Sequence, residues 1–318
     1  MSLLFLTNSL LTTVQDLGRT GFSAFGVNPN GAMDTNAVRL INILLGNDEN
    51  EAVLEIHFPA PKILFEENAL IALGGANFDA KIDDKKVNNW QQIYVEKGQC
   101  LSFSNKLNGN RLYLSVNGGF EIKDWLGSKS TNLKAKLGGF DGRKLEKNDR
   151  VNFKLQIPES KFQNLLKISP HFVPNYSNYP KIRVIESAEF DLLTGLSLET
   201  FLKENFVISQ NSDRMGFRLA GKPLYLLHQK ELVSSAVTFG TIQLLPNGQM
   251  IILMADHQTT GGYPRLAQII SADLSRVAQL GANDSLQFEI ISLEEAEKLA
   301  LEFEQDLNWL KIGCKFSK

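Results

Sequence analysis

Short apolar runs alternating with polar residues, each closed by Gly, Asn or Asp, dominate the chain. ILFEENALIALGG, QQIYVEKGQCLSFSN, RLYLSVNGG and DRVNFKLQI have the period of two and the β-branched and aromatic content of strands joined by turns. Helical periodicity is confined to a few places. Asp34 stands where it can cap a helix with Ala37, Val38, Ile41, Leu44 and Leu45 on one face and Gly46 as its stop. Ser271 is expected to cap a second helix, with Leu274, Val277 and Ala278 inward and Gly281 ending it. Ser292 and Glu295 have capping-box spacing, and Leu293, Ala296, Leu299, Ala300, Phe303, Leu307 and Leu310 continue one apolar face. A further helix is expected over 198–204. Strands outnumber helices, so the predicted fold class is mainly β, with peripheral α-helices around barrels or sandwiches.

At 318 residues the chain has material for about two domains. The texture changes where Pro158, Pro170, Pro174 and Pro180 sit among Asn, Ser and Tyr without a clear period. A linker is expected over 158–181, between an N-terminal β domain at 1–157 and a C-terminal β domain with a final helix at 182–318. The phrase Arg19-Thr-Gly-Phe22 is echoed by Arg214-Met-Gly-Phe217, as an internal duplication would leave it.

Charge removes several classes of function. Lys and Arg total 33 against 35 Asp and Glu, for a formal net charge of −2 without blocks of one sign, so a nucleic acid partner is not expected. Two isolated cysteines, Cys100 and Cys314, support neither a disulfide framework nor a thiolate metal site. The apolar run Leu3 to Leu6 is too short for a secretory signal and no stretch reaches membrane-span length, so a cytoplasmic protein without membrane association is expected. His57, His171, His228 and His257 lack metal-ligand spacing, so no metal is predicted. There is no GxSxG elbow, no GxxxxGK[ST] loop and no strand-linked GxGxxG. No Met-Lys-Met occurs, so no covalent biotin is expected on this chain.

Four segments can carry chemistry. In MIILMADHQTTGGYPRLAQII an apolar run stops abruptly at Asp256, followed by Gln258, Thr259, Thr260, Gly261, Gly262 and Tyr263. A carboxylate, an amide and two hydroxyls at a strand end supply convergent donors and acceptors, and Gly-Gly lets backbone N–H groups approach a ligand. The same residues suit an ordinary capped turn. SDRMGFRLAG offers the guanidinium forks of Arg214 and Arg218, suited to a carboxylate or phosphoryl group. GRTGFSAFGVNPNGAMD places Arg19, Asn28, Asn30 and Asp34 ahead of a helix start. STNLKAKLGGFDGRKL is a Gly-rich charged loop with Lys134, resembling a phosphate loop only in composition.

TTVQDLGRTGF, GVNPNGAMD, LLGNDENEAVLE, ALGGANF, SVNGGF, STNLKAKLGGFDGRKL, SDRMGFRLAG, ELVSSAVTFGTIQLLPNGQ and DHQTTGGYPRLA occur in that order. Together they closely resemble the biotin-dependent carboxyltransferase, or allophanate hydrolase subunit 2, family, which includes the C subunits of bacterial 5-oxoprolinases. The resemblance implies two cyclophilin-like β-barrel domains in tandem. It implies partner subunits B and A, with which the assembly uses ATP to open 5-oxoproline (pyroglutamate) to L-glutamate, the chain being inactive alone. On this reading Asp256, Arg214 and Thr260 are the candidate catalytic residues. Gln258, Thr259, Gly261, Gly262, Tyr263, Arg19 and Lys134 are the candidates for binding the small-molecule substrate. Relatives point to two alternatives: a regulatory protein antagonising a histidine-kinase inhibitor, and the carboxyltransferase component of a urea carboxylase-like system with a separate biotin carrier.

Overall fold

The computed structural model describes residues 1–154, 165–228 and 232–316. They pack into two compact units. The first gathers Met1–Arg19, the described part of Asn30–Asn175, and residues 304–316; the second gathers Thr20–Pro29 and the described part of Tyr176–Phe303.

Strands of the first unit are β1 (Ser2–Phe5), β2 (Thr12–Gln15), β3 (Val53–Ile56), β4 (Ile63–Phe65), β5 (Ala69–Asn77), β6 (Ala80–Ile82), β7 (Lys85–Lys86), β8 (Gln92–Val95), β9 (Cys100–Phe103), β10 (Asn108–Val116) and β11 (Arg150–Asn152). They form two sheets, ordered β11-β1-β4-β9-β6-β7 and β2-β3-β10-β5-β8. Inward residues of both sheets, among them Leu3, Phe5, Leu54, Ile56, Phe65, Ile71, Leu73, Leu112 and Leu114, share one core. Helix α1 (Thr35–Leu45) packs on β5 and β10. Its bounds follow from the predicted signals: the Asp34 carboxylate accepts the Ala37 N–H at 3.0 Å, and Gly46 ends it in the left-handed conformation at φ 73°.

The second unit carries β12 (Lys181–Glu186), β13 (Phe206–Ile208), β14 (Gly216–Ala220), β15 (Ser235–Ala236), β16 (Thr241–Leu244), β17 (Met250–Leu253), β18 (Thr260–Gly261), β19 (Arg265–Ile269) and β20 (Ser285–Ile290). Seven of these close a barrel in the order β12-β19-β16-β17-β14-β13-β20, joined by the parallel pair β20 and β12, while β15 and β18 form a separate ribbon. Helix α2 (Gly195–Lys203) brings Phe201 onto Phe288 of β20, their rings stacked 4.7 Å apart. Helix α3 (Ser271–Ala278) is tied to β12 by Asp273, whose carboxylate accepts from the Arg183 backbone and guanidinium at 2.7–3.0 Å.

The mainly β expectation holds, and the closed barrel lies in the second unit, whereas the strands of the first divide between two sheets. Three details differ from the sequence reading. Ser271 is the first residue of α3 and not its cap: the cap position is Ile270, without a side-chain bond, and the helix ends at Gln279 ahead of Gly281. Within the expected linker, 158–164 lie outside the described residues. Leu166, Lys167 and Ile168 run beside Trp90, Gln91 and Gln92 and belong to the first unit, because backbone hydrogen bonds at 2.8 Å recruit them there. Finally, the echoed phrase has two structures: Gly21 is a left-handed turn residue at φ 88°, whereas Gly216 opens β14. Helix α4 (Leu293–Phe316) begins with the Glu295 N–H donating to the Ser292 hydroxyl at 3.2 Å and buries Ala296, Leu307 and Leu310.

Candidate polar site on the barrel unit

The apolar strand β17 runs on through buried Met254 and Ala255 and stops at Asp256. The carboxylate there has a partner. Arg214, placed just before β14, donates Nε and Nη2 to the two Asp256 oxygens at 2.9 Å each, and its own carbonyl accepts the Asp256 N–H at 2.8 Å. The side chains are 7% and 14% exposed, so this is a bidentate ion pair largely withdrawn from water. The Asn28 amide donates to the Asp256 carbonyl at 2.9 Å, fixing the same point from the segment Thr20–Pro29. The fork expected to hold a substrate carboxylate is therefore engaged by a carboxylate of the chain itself.

Beyond Asp256, His257 is buried and its Nδ1 lies 2.5 Å from the Gln258 carbonyl, so that nitrogen carries the proton. Burial holds its pKa below the ordinary histidine value, against the opposing pull of the Gln258 carbonyl and the Asp256 charge. Thr260 and Gly261 are strand β18, paired with Ala236 and Ser235. Thr260, Gly262 and Tyr263 are exposed, while Thr259 offers its carbonyl to the Val237 N–H.

Gln258 and Tyr263 form part of the wall of a cavity of about 490 Å³, within the size range of small-molecule sites (~300–1,000 Å³). Its floor is a row of side chains across three barrel strands. Register pairs Arg218 of β14 with Ile251 of β17, and Ile251 with Gln243 of β16, so the three stand side by side on one face of the sheet. Their neighbours along the strands, Phe217, Ile252 and Ile242, are buried on the opposite face. Asp213 borders the cavity with a carboxylate that already accepts the Met215 and Gly216 N–H groups of its own turn.

Of the candidate residues, the structure therefore brings Arg214 onto Asp256, and Gln258 and Tyr263 into a cavity. Arg19 and Lys134 belong to the first unit. There the Arg19 guanidinium is buried, donating to the Asn30 side chain at 2.5 Å and the Ser130 carbonyl at 2.7 Å, with the Trp125 ring 4.5 Å away. Lys134 is exposed on the loop following Ser130. Gly138 and Gly139 of that loop press on Ser130 and on the Thr131 hydroxyl, so their missing side chains serve close packing. The residue that sequence reasoning misses is Gln243. A glutamine inside the apolar phrase TIQLL is the available signal, because a buried strand gives up an apolar position only when the polar group has work to do.

Residues 25–290 match the model of the carboxyltransferase domain, subdomains A and B, and the chain belongs to this carboxyltransferase family. Within it, the chain is 38% identical to the C subunit of 5-oxoprolinase from Haemophilus influenzae over 287 residues, 90% of each chain. The protein of the same name from Escherichia coli is also 38% identical, over 91% of each chain. A putative urea carboxylase of Emericella nidulans is 31% identical over 96% of this chain, which spans only 25% of that protein. In three dimensions, the Kluyveromyces lactis urea carboxylase superposes with a TM-score of 0.90 at 28% identity, over 98% of this chain and 29% of its own.

Proposed function

We propose that the chain is the C subunit of an ATP-dependent 5-oxoprolinase, working with subunits B and A to open 5-oxoproline to L-glutamate. The observation that carries this reading is the end-to-end match to two proteins of that name, 90–91% of both chains. The urea carboxylases, in contrast, are several times longer than the part this chain resembles. The chemistry explains the assembly. A five-membered lactam is a stable amide; transfer of the γ-phosphoryl group of ATP to its carbonyl oxygen makes the carbon electrophilic. Water then adds, the C–N bond breaks with a proton delivered to nitrogen, and phosphate leaves. Such a sequence needs a polar clamp on the ring and cationic support for the moving phosphoryl group. What this chain contributes is the clamp, from a barrel-wall cavity with an amide, a guanidinium and the 256–263 loop. The ion pair of Arg214 and Asp256 sets that loop as a positioning element, with Thr259 and Thr260 carrying its strand ends.

The test is reconstitution. The chain co-purified with subunits A and B should form glutamate from 5-oxoproline with equimolar release of ADP and phosphate, and the isolated chain should not. Turnover by the chain alone, or none by the full set, would overturn the reading. The close superposition on a urea carboxylase favours a second reading, a carboxyltransferase served by a separate biotin carrier; carboxylation of urea by the chain plus such a carrier would establish it instead.

A further inference from the structure

Gln243 is a buried amide with half its hydrogen-bonding capacity unused. It is 1% exposed and lines the cavity, yet its Oε1 finds no hydrogen-bond partner. Its Nε2 points to the Tyr263 carbonyl at 3.5 Å, a long contact. Because that carbonyl can only accept, the NH2 end must face it, and the oxygen is left as the free acceptor. An orphaned buried acceptor costs stability unless something supplies a donor.

Two backbone features are shaped around this side chain. The pairing of β16 with β19 slips between Ile242 and Gln243, so that Gln243 faces Arg265 while Ile242 faces Ala267. A bulge of this kind re-aims the side chain beside it. In addition, Gly261 lies directly against the amide: a Cβ at that position would come within 2.5 Å of Nε2. The first half of the Gly-Gly signature thus clears space for Gln243. Two strands along the same row stands Arg218, whose backbone is about 10 Å away by strand spacing. Its side chain is exposed and has no ion partner among the described residues.

From this geometry we infer that Gln243 and Arg218 form a binding site for a small anionic cis-amide, Gln243 reading the N–H beside the carbonyl and Arg218 the carboxylate. A lactam or a ureido group presents N–H and C=O on one edge, the pattern an unpaired glutamine oxygen with an adjacent NH2 can meet. A carboxylate a few ångströms away suits the guanidinium fork. 5-Oxoproline has both features, and in naming it the inference rests on the function proposed above; urea shares only the first. The cavity, and not the occupied fork of Arg214, is then where substrate is recognised.

Ligand binding to the full-length chain, and to its complex with the B subunit, tests this by saturation-transfer NMR and calorimetry with three probes. 5-Oxoproline should bind, 2-pyrrolidone, which lacks the carboxylate, at least about tenfold more weakly, and proline, which lacks the carbonyl, not measurably. Arg218→Gln should lower 5-oxoproline to the affinity of 2-pyrrolidone and leave 2-pyrrolidone unchanged. Gln243→Leu, nearly the same size, should weaken both lactams about tenfold. Gly261→Ala should do the same by displacing an intact amide, so a folding defect in Gln243→Leu does not shelter the idea. Equal binding of 5-oxoproline to wild type and to a folded Gln243 or Gly261 variant overturns the proposal, as does absence of saturable binding in both preparations. If 5-oxoproline turnover fails while urea binds in a Gln243-dependent way, the amide reader stands and the proposed activity falls.

Discussion

A guanidinium and a carboxylate that meet through both prongs out of water are worth more intact than either is alone, since removing one strands the other's charge in a poorly solvated place. For Arg214 and Asp256, the expected cost of Asp256→Ala is about 3 kcal/mol of folding stability, well above the ~1 kcal/mol of a lost turn cap. Arg214→Lys keeps the charge and loses the fork, and should fall between wild type and Asp256→Ala in chemical denaturation. Denaturant midpoints with an unchanged m-value would check both. Any activity lost in these variants should track lost stability, whereas a Gln243 variant should lose binding with little change in midpoint. Both residues of the pair stand out in the sequence as chemistry-bearing, but nothing in one dimension says that groups 42 positions apart satisfy each other. Gln243 escapes notice for the opposite reason: its neighbours Ile242 and Leu244 make the run read as apolar core.

Elements are more legible than partners. Helix α1 follows its sequence signals because a local cap, a local stop and a one-sided apolar face decide it without help from distant residues. Asp34→Ala should cost it about 1 kcal/mol, visible as a lower thermal midpoint. Helix α3 departs from the Ser271 expectation because Asp273, two residues in, is claimed by Arg183 of a strand far away in sequence, a tertiary bond that sets where the helix begins. The aromatic layer under α2 is not foreseeable from periodicity either. Phe201 is fully buried and stacks on Phe288, so Phe201→Ala should cost about 3–5 kcal/mol, measured in the same denaturation series. The bulge that aims Gln243 depends on pairing between β16 and β19 and leaves no mark in either strand's own residues.

For the molecule as a whole, stability should fall in two stages as pH is lowered. His257, with a folded pKa below its unfolded value near 6.5, resists protonation when buried, so the unfolded chain binds more protons and stability declines from about pH 6.5 downward. His257→Gln should flatten that stage. Asp273 and Glu51 meet the opposite pulls of burial, which raises their pKa values, and of cationic and backbone donors, which outweigh it and hold them low. Their contribution is complete above the unfolded carboxyl values near 4 and is lost as pH drops through the folded ones. Midpoints of urea unfolding between pH 3 and 8 resolve the stages. The mainly β class is readable from strand patterns. The assignment of residues to units is not, because 20–29 and 304–316 join their units through contacts distant in sequence.

That membership has a consequence during synthesis. Residues 304–316 complete the first unit, where the Arg39 guanidinium grips both oxygens of Glu304, Lys311 meets Glu49, and Leu307 and Leu310 are buried. A ribosome that has already released all eleven strands of that unit still holds it unfinished until the whole barrel has been translated. Nascent chains stalled after Phe303 should therefore leave α1 with open ion pairs and an uncovered apolar flank, and pulsed hydrogen exchange on such stalled chains should find Arg39 and its neighbours less protected than in the released protein.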